Sequence, residues 1–346
     1  MPINYEPIDA TTDVATTRTL LHEVIPLTGS IVSGTYGTFP NDDNIKNYSH
    51  GMFQSVYDYP YLSSSANHIF DLTAGFDESS VLSGSFSSVQ ETKKINMYNQ
   101  FSQVLLGYTG STNRVRLFES DLTLDEDSPM KETIFVNLSR LLTKDEIKKG
   151  SVSIALGTAS WAAPFGGVKT FTDAGAAENA GTLNTIGGDY GLLSSSTAGV
   201  GGVVFYQAGV MVLTSSIWTG TTDFFSQSGT ARTIDNQLVS GSISGSADAF
   251  RHRLYNLQFN NTTEINSTVY FCRMPHNKFN YSSNPTYLNA GSIRVKNNSR
   301  NNPPISYITT VGLYNSQNEL LAVAKLSEPL RKDPTNELTL RVRLDY

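Results

Sequence analysis

The sequence contains little charge and a single cysteine, and each shortage excludes a class of site. Only 16% of the 346 residues are charged. Because Cys272 is the only cysteine, neither an intrachain disulfide nor a cysteine-rich zinc site can form. Its neighbours have strand character, which favours a small buried side chain over an activated thiol. No stretch approaches the ~20 apolar residues of a membrane helix, and the first residues do not resemble a secretory signal.

Basic residues are too few and too scattered for a surface that binds nucleic acid. Such a surface needs clustered lysine and arginine to release counterions from phosphates, whereas the net charge here is -6. The densest basic spots are residues 251–253 (Arg-His-Arg) and 341–343 (Arg-Val-Arg). In the second, strand alternation places both arginines on one solvated face. We therefore expect neither nucleic acid nor a membrane as a partner.

The common catalytic and cofactor-binding motifs are missing. The Gly-rich stretch 199–202 lacks the Lys-Ser/Thr of a phosphate-binding loop and the context of a dinucleotide site. No Gly-x-Ser-x-Gly elbow has a credible partner. No local histidine pair could hold a metal, because no two histidines lie three to five residues apart among His22, His50, His68, His252 and His276. The sequence predicts a protein that is not an enzyme, without catalytic residues, cofactor or metal.

One acidic run is the nearest approach to a metal site. It contains Asp121, Asp125, Glu126 and Asp127. A calcium loop needs oxygen ligands at regular spacing around a central glycine. That glycine is absent and apolar residues interrupt the run, which favours a solvated turn. Nothing in the sequence marks a converging pair of catalytic carboxylates.

Uncharged polar and aromatic residues predominate instead, and they favour strands and turns over helices. We predict a mainly β protein with an antiparallel β-sandwich or barrel-like core and one or two short helices. One helix is predicted at 90–106, where apolar residues recur at i, i+3 and i+4 and Gly107 follows. A short second helix is predicted at 143–149 from the capping box formed by Thr143 and Glu146.

The composition changes along the chain and suggests its organisation. Residues 1–88 are rich in turn dipeptides, which predicts an extended N-terminal arm. Residues 89–346 form the predicted β-rich core, with long Gly/Ser/Thr-rich insertions at about 157–202 and 219–248. Long loops are uncommon in compact domains and usually functional, so we expect these to contact other subunits. The apolar segment between them, 203–217, predicts a central strand or strand pair.

The strand signal is densest after residue 250. The terminal segment 337–346 alternates leucine or valine with polar residues, which predicts a half-buried strand that pairs. Residues 315–318 predict a hairpin turn, because asparagine tolerates the left-handed region. The Asn-rich segment 277–302 ends in a predicted loop. The other predicted strands are 251–259, 264–274, 292–296, 306–314 and 320–326.

The C-terminal third also carries a resemblance. Residues 278–286 (Lys-Phe-Asn-Tyr-Ser-Ser-Asn-Pro-Thr), 305–315 (Ile-Ser-Tyr-Ile-Thr-Thr-Val-Gly-Leu-Tyr-Asn) and 319–327 (Glu-Leu-Leu-Ala-Val-Ala-Lys-Leu-Ser) are similar to virion structural proteins of tailed bacteriophages, notably those with contractile tails. Residues 132–150 and 203–213 resemble parts of the same pattern. The resemblance implies a neck, tail or baseplate subunit, assembled in the host cytoplasm with copies of itself and other virion proteins. It brings no catalytic residues.

Two other functions stay open at this point. A receptor- or glycan-binding tip or adhesin would expose aromatic side chains, such as Trp161 or Trp218, over a shallow groove. A glycan depolymerase would bring two or three carboxylates together in a cleft. An assembly subunit would instead place arms, loops and strand edges on its neighbours.

Overall fold

The computed structural model describes residues 5–28, 36–84, 88–109, 114–177, 181–282, 288–289, 292–295 and 299–346. The chain divides into two compact units. Unit 1 contains the chain up to Leu20 together with Glu264–Tyr346, and unit 2 contains Leu21–Thr263. The boundaries between the units fall within two long strands, β1 (Val14–Thr28) and β19 (Leu254–Met274).

Unit 2 is built on one large sheet, and its registered strand pairs are antiparallel. Its other main strands are β4 (Ile45–Asn47), β5 (Gln54–Tyr57), β6 (His68–Phe76), β9 (Glu132–Leu138), β11 (Ser153–Gly157), β12 (Val168–Thr172), β14 (Gly188–Ser195), β15 (Gly199–Phe205) and β16 (Val210–Thr214). Across the sheet they follow the order β19-β11-β12-β14-β15-β16-β9-β6-β5-β4. The prediction of a mainly β protein with antiparallel strands is therefore confirmed.

Shorter strands complete unit 2. The strands β10 and β13 pair with β19 and β14, and the others form two-stranded ribbons. These strands are β2 (Gly37–Thr38), β3 (Asn41–Asp42), β7 (Phe118–Glu119), β8 (Pro129–Met130), β10 (Glu146–Ile147), β13 (Thr182–Thr185), β17 (Phe225–Gln227) and β18 (Thr230–Arg232).

The central strands of unit 2 bury both of their faces. Along β9, Ile134 and Val136 join one hydrophobic cluster while Phe135 joins a second. On β16, Met211 joins the first cluster and Val212 joins the second. Because both faces are covered, these strands are continuously apolar, which accounts for the predicted central strands within 203–217.

The described residues contain four α-helices, where the sequence predicts one or two short helices. They are α1 (Val89–Leu105), α2 (Arg140–Thr143), α3 (Ile234–Ser240) and α4 (Ile243–Arg253). The predicted helix at 90–106 is confirmed as α1, which begins after the N-cap Ser88 and is followed by Gly107 at a φ of 82°.

The predicted helix at 143–149 is wrong. Thr143 is instead the last residue of α2, whose N-cap is Ser139, and Lys144 then turns with a φ of 57°. Glu146 pairs with Thr262 of β19. Hydrogen bonds to a neighbouring strand thus override the local preference of the capping box.

The two predicted insertions are largely regular structure. Residues 157–202 supply β12, β13 and β14 and the start of β15, while residues 219–248 contain α3 and half of α4. Small residues of α4, such as Gly245 and Ala247, are buried. The small-residue composition of this segment therefore reflects close packing. Thr233 and Ser242 cap α3 and α4 through their side chains.

A buried lysine connects two of these helices. Lys94 of α1 has no exposed surface. Its Nζ donates to the carbonyl oxygen of Gly241 at 2.7 Å and to that of Leu238, both at the end of α3. A cation at this position satisfies the carbonyl groups that a helix leaves unpaired at its C-terminus.

Gly202 allows two strands to approach closely, and replacing it by alanine should destabilise the protein by about 1–3 kcal/mol. A Cβ at Gly202 would lie 2.2 Å from the carbonyl oxygen of Val212 on the neighbouring strand. Gly175 is the matched control, because a Cβ there would meet nothing within 4 Å. Urea denaturation of both alanine variants measures the difference. Equal stability of the two variants would contradict the close approach.

Unit 1 carries the C-terminal strands predicted from the sequence. Strand β24 (Leu338–Asp345) pairs with the second half of β19, and β22 (Ser306–Tyr314) pairs with β23 (Leu320–Lys332). The remaining pair is β20 (Leu288–Asn289) with β21 (Ser292–Val295). The two strands predicted at 251–259 and 264–274 are one strand, β19, and residues 251–253 belong to α4.

The predicted arm at 1–88 does not coincide with either unit. Residues 45–76 supply β4, β5 and β6 of the large sheet, and Val56 and Phe70 have no exposed surface. Of the turn dipeptides that suggested an arm, residues 29 and 33–34 lie outside the described residues, whereas Gly37 and Asn41–Asp42 belong to the short strands β2 and β3. Residue 296 of the predicted strand 292–296 lies outside the described residues, and so do residues 283–286 of the segment 278–286 that carries the resemblance.

Candidate functional site

The β22–β23 hairpin exposes a cluster of apolar side chains near its turn. The exposed fractions are 68% for Leu321, 52% for Leu320, 51% for Val323 and 44% for Tyr314. We call these four residues the tip patch. The turn forms as predicted, with the amide of Asn318 donating to the carbonyl of Asn315 at 3.1 Å.

The register of the hairpin brings Tyr314 and Leu320 of the tip patch side by side. Tyr314 lies opposite Leu320, and Gly312 lies opposite Val323. A Cβ on Gly312 would lie 2.9 Å from the Tyr314 ring and 3.2 Å from Leu320, so both side chains lie over the glycine. Apolar groups gathered in this way, rather than scattered singly, are typical of interaction surfaces.

The base of the hairpin is fixed while its tip is exposed. Lys332 at the base has no exposed surface. Its Nζ donates to Asn280 Oδ1 at 2.8 Å and to the Asp333 carbonyl at 3.0 Å. A two-stranded hairpin is at best marginally stable in water, so this anchor and any cover over the tip patch both stabilise it.

Strand β24 offers a second element for association. Its pairing within the described residues is with β19 alone, so its other edge has no strand partner there. Val342 is buried and Arg341 and Arg343 are exposed, which confirms the predicted alternation. An unpaired edge is a template for a strand of another chain, and arginines along it restrict which chains can add.

The histidine arrangement nearest to a catalytic triad lacks the order that a triad needs. Asp71 lies between its two partners, with Oδ1 2.8 Å from His68 Nε2 and accepting a hydrogen bond from Ser55 Oγ. In a nucleophilic triad the histidine must reach the serine. Here the carboxylate separates them, and Ser55 is only 2% exposed.

The other histidines and the cysteine occupy separate, ordinary environments. His50 stacks on Tyr48, and His276 contacts Glu337. His22 lies 3.2 Å from the Thr262 hydroxyl. Cys272 is half-buried on β19. Burial raises the pKa of this thiol, which is the opposite of activation.

The first basic spot predicted from the sequence is not a surface patch. Arg251 and Arg253 have no exposed surface, and both contribute to hydrogen-bond networks inside unit 2. His252 between them is half-buried, and its Nε2 lies 2.8 Å from the Trp161 carbonyl oxygen. These two arginines therefore cannot reach a phosphate group.

The tryptophans do not form the exposed platform expected of a glycan-binding tip. Trp218 is 1% exposed, and its Nε1 donates to the Gly157 carbonyl at 3.1 Å. Trp161 is half-buried, with its ring centroid 4.2 Å from that of His252 and 5.9 Å from that of Phe39. Both side chains mainly support the fold.

Comparison with known proteins identifies no relative. No family model, curated protein or solved structure matches the chain. None of the helices in the described part of the chain combines the length and the apolar character that crossing a bilayer would require.

The loop between β7 and β8 gathers three carboxylates. One oxygen from each of Glu119, Asp121 and Asp127 lies within 4.8 Å of the other two. The sequence identified Asp121 and Asp127 but missed Glu119, which belongs to β7 rather than to the acidic run. None of the three residues lines either of two cavities, of about 560 and 420 Å³, found among the described residues.

Proposed function

We propose that this chain is a structural subunit of a tailed-phage virion, in the neck, tail or baseplate, and that it acts by symmetric assembly with copies of itself and with other virion proteins. The observation that carries the proposal is the tip patch, because its four neighbouring side chains are apolar and exposed. The phage assignment is supported by the resemblance in residues 305–315 and 319–327, which form the hairpin bearing the patch.

The energetics favour covering the tip patch. Burying one leucine or valine side chain contributes about 1.5–3 kcal/mol. Four neighbouring apolar side chains can therefore supply the centre of an interface whose rim is polar. A head-to-tail contact between the tip patch and a complementary surface of the next subunit generates a ring when its rotation closes.

Replacing Leu321 by aspartate should weaken self-association at least about tenfold and leave the melting temperature of the dissociated chain nearly unchanged. The reason is that Leu321 is 68% exposed in the free chain, so the charge costs little until a neighbour covers it. Mass photometry over a concentration series measures the association. A melting curve of the same sample checks the fold.

Leu62→Asp is the matched control, because Leu62 is 87% exposed but lies in a turn of unit 2. It should assemble like the unaltered chain. Equal association of the two variants would exclude the tip patch as an interface. A chain that stays monomeric at every concentration and binds cells or sugars would instead favour a receptor-binding tip.

A further inference from the structure

Glu119, one of the three clustered carboxylates, has an oxygen that lacks a partner among the described residues. Glu119 is 3% exposed, and its Oε1 accepts a hydrogen bond from the amide of Glu126 at 3.1 Å. Its Oε2 is fully buried and has no hydrogen-bond partner among the described residues. A buried carboxylate oxygen left without a partner is costly unless something binds it.

No basic side chain of the described residues forms an ion pair with the three clustered carboxylates. The nearby Arg114 lies 3.7 Å from Glu126 Oε2, and Glu126 is outside the cluster. Burial raises the pKa of Glu119, and the charges of Asp121 and Asp125 raise it further. Three ionised carboxylates within 4.8 Å of one another repel, and a cation held between them would offset that repulsion.

The loop is held in place from a neighbouring strand. The Tyr190 hydroxyl of β14 lies 3.3 Å from the carbonyl oxygen of Asp121 and 3.2 Å from that of Thr123, and it can donate to either. The Thr123 amide donates to Asp121 Oδ1 at 2.8 Å. These contacts fix the loop backbone, so little further ordering is needed for a ligand to bind.

We propose that Glu119, Asp121 and Asp127 bind a calcium ion. The donors are all carboxylate oxygens, which suit a hard cation, and the described residues place no histidine or cysteine in the cluster. Calcium lies about 2.3–2.6 Å from its ligands, so oxygens up to roughly 5 Å apart can share one ion. Water completes the coordination, because Asp127 is exposed. This site is independent of the assembly function proposed above.

A calcium chloride titration of the full chain, followed by calorimetry, tests the site. We expect one saturable site with a dissociation constant on the order of 10⁻⁵–10⁻³ M and a calcium-dependent rise in melting temperature. Glu119→Gln should weaken calcium binding at least about tenfold, since loss of a second-shell partner alone costs that much. Without calcium, the same variant should melt no lower than the unaltered chain, because it removes a buried, repelled charge.

Glu126→Gln is the matched control. It removes one negative charge from the same loop but none of the proposed ligands, so it should change calcium affinity less than about threefold. The proposal fails if calcium binding does not saturate in the millimolar range. It also fails if Glu126→Gln weakens binding as much as Glu119→Gln, which would show a diffuse attraction by charge.

Discussion

Replacing Arg251 by leucine should lower the free energy of unfolding by about 3–5 kcal/mol. The guanidinium has no exposed surface and lies 2.9 Å from Asp42 Oδ2 and 3.0 Å from Asp248 Oδ1. It also donates to Gln54 Oε1 at 2.8 Å and to the Pro40 carbonyl at 3.0 Å. Without the arginine, two carboxylates would stay in the interior without their cation. Guanidinium chloride denaturation measures the loss.

Adding Asp42→Asn to Arg251→Leu should recover part of that stability, because the variant no longer buries one of the unpaired charges. Arg341→Leu is the control, since Arg341 is exposed on β24, and it should change stability by less than about 0.5 kcal/mol. Strict additivity of the two buried substitutions would show that Arg251 and Asp42 do not act as a pair.

Replacing Arg253 by leucine should cost about 3 kcal/mol or more, for a different reason. Its donors bond to four main-chain carbonyl groups, with the Ala159 oxygen at 2.7 Å and the Asp223 oxygen at 2.9 Å. The other two acceptors are the carbonyls of Gly157 and Phe224. Leucine would leave several of these buried acceptors unpaired. The measurement is again chemical denaturation.

Arg253→Lys separates charge from geometry. Burial lowers the pKa of Arg253 to about 10, so the side chain still carries its charge at neutral pH. Lysine keeps the charge but cannot present the planar fork of five donors. We therefore expect lysine to recover less than half of the lost stability. Full recovery would mean that charge alone matters at this position.

Local sequence patterns predicted the elements whose formation depends on residues close together in the chain. The stripe of α1, the turn at 315–318 and the alternation of β24 follow from spacing and from the conformational range of asparagine. The sequence predicted the strands that carry the tip patch but not the exposure of its side chains. Its exposure depends on β22 and β23 forming their own two-stranded sheet, and no local pattern records which sheet a strand joins.

The features that could not be predicted depend on contacts between distant residues. Arg251 is separated by more than 200 positions from Asp42, its buried partner, so its burial could not be inferred from the basic spot that contains it. Glu119 belongs to a strand outside the acidic run, so a search based on calcium-loop spacing does not include it. The helices α3 and α4 were not predicted because small buried residues produce no apolar stripe.

The contact of Lys94 with the end of α3 has a consequence for local unfolding. At seven residues, α3 is too short to persist alone in water, and it depends on tertiary contacts. One of these contacts is the ammonium group that α1 supplies to the carbonyls of Leu238 and Gly241. Melting of α1 would withdraw this group, so the two helices belong to one cooperative opening unit although more than 120 residues separate them in the chain.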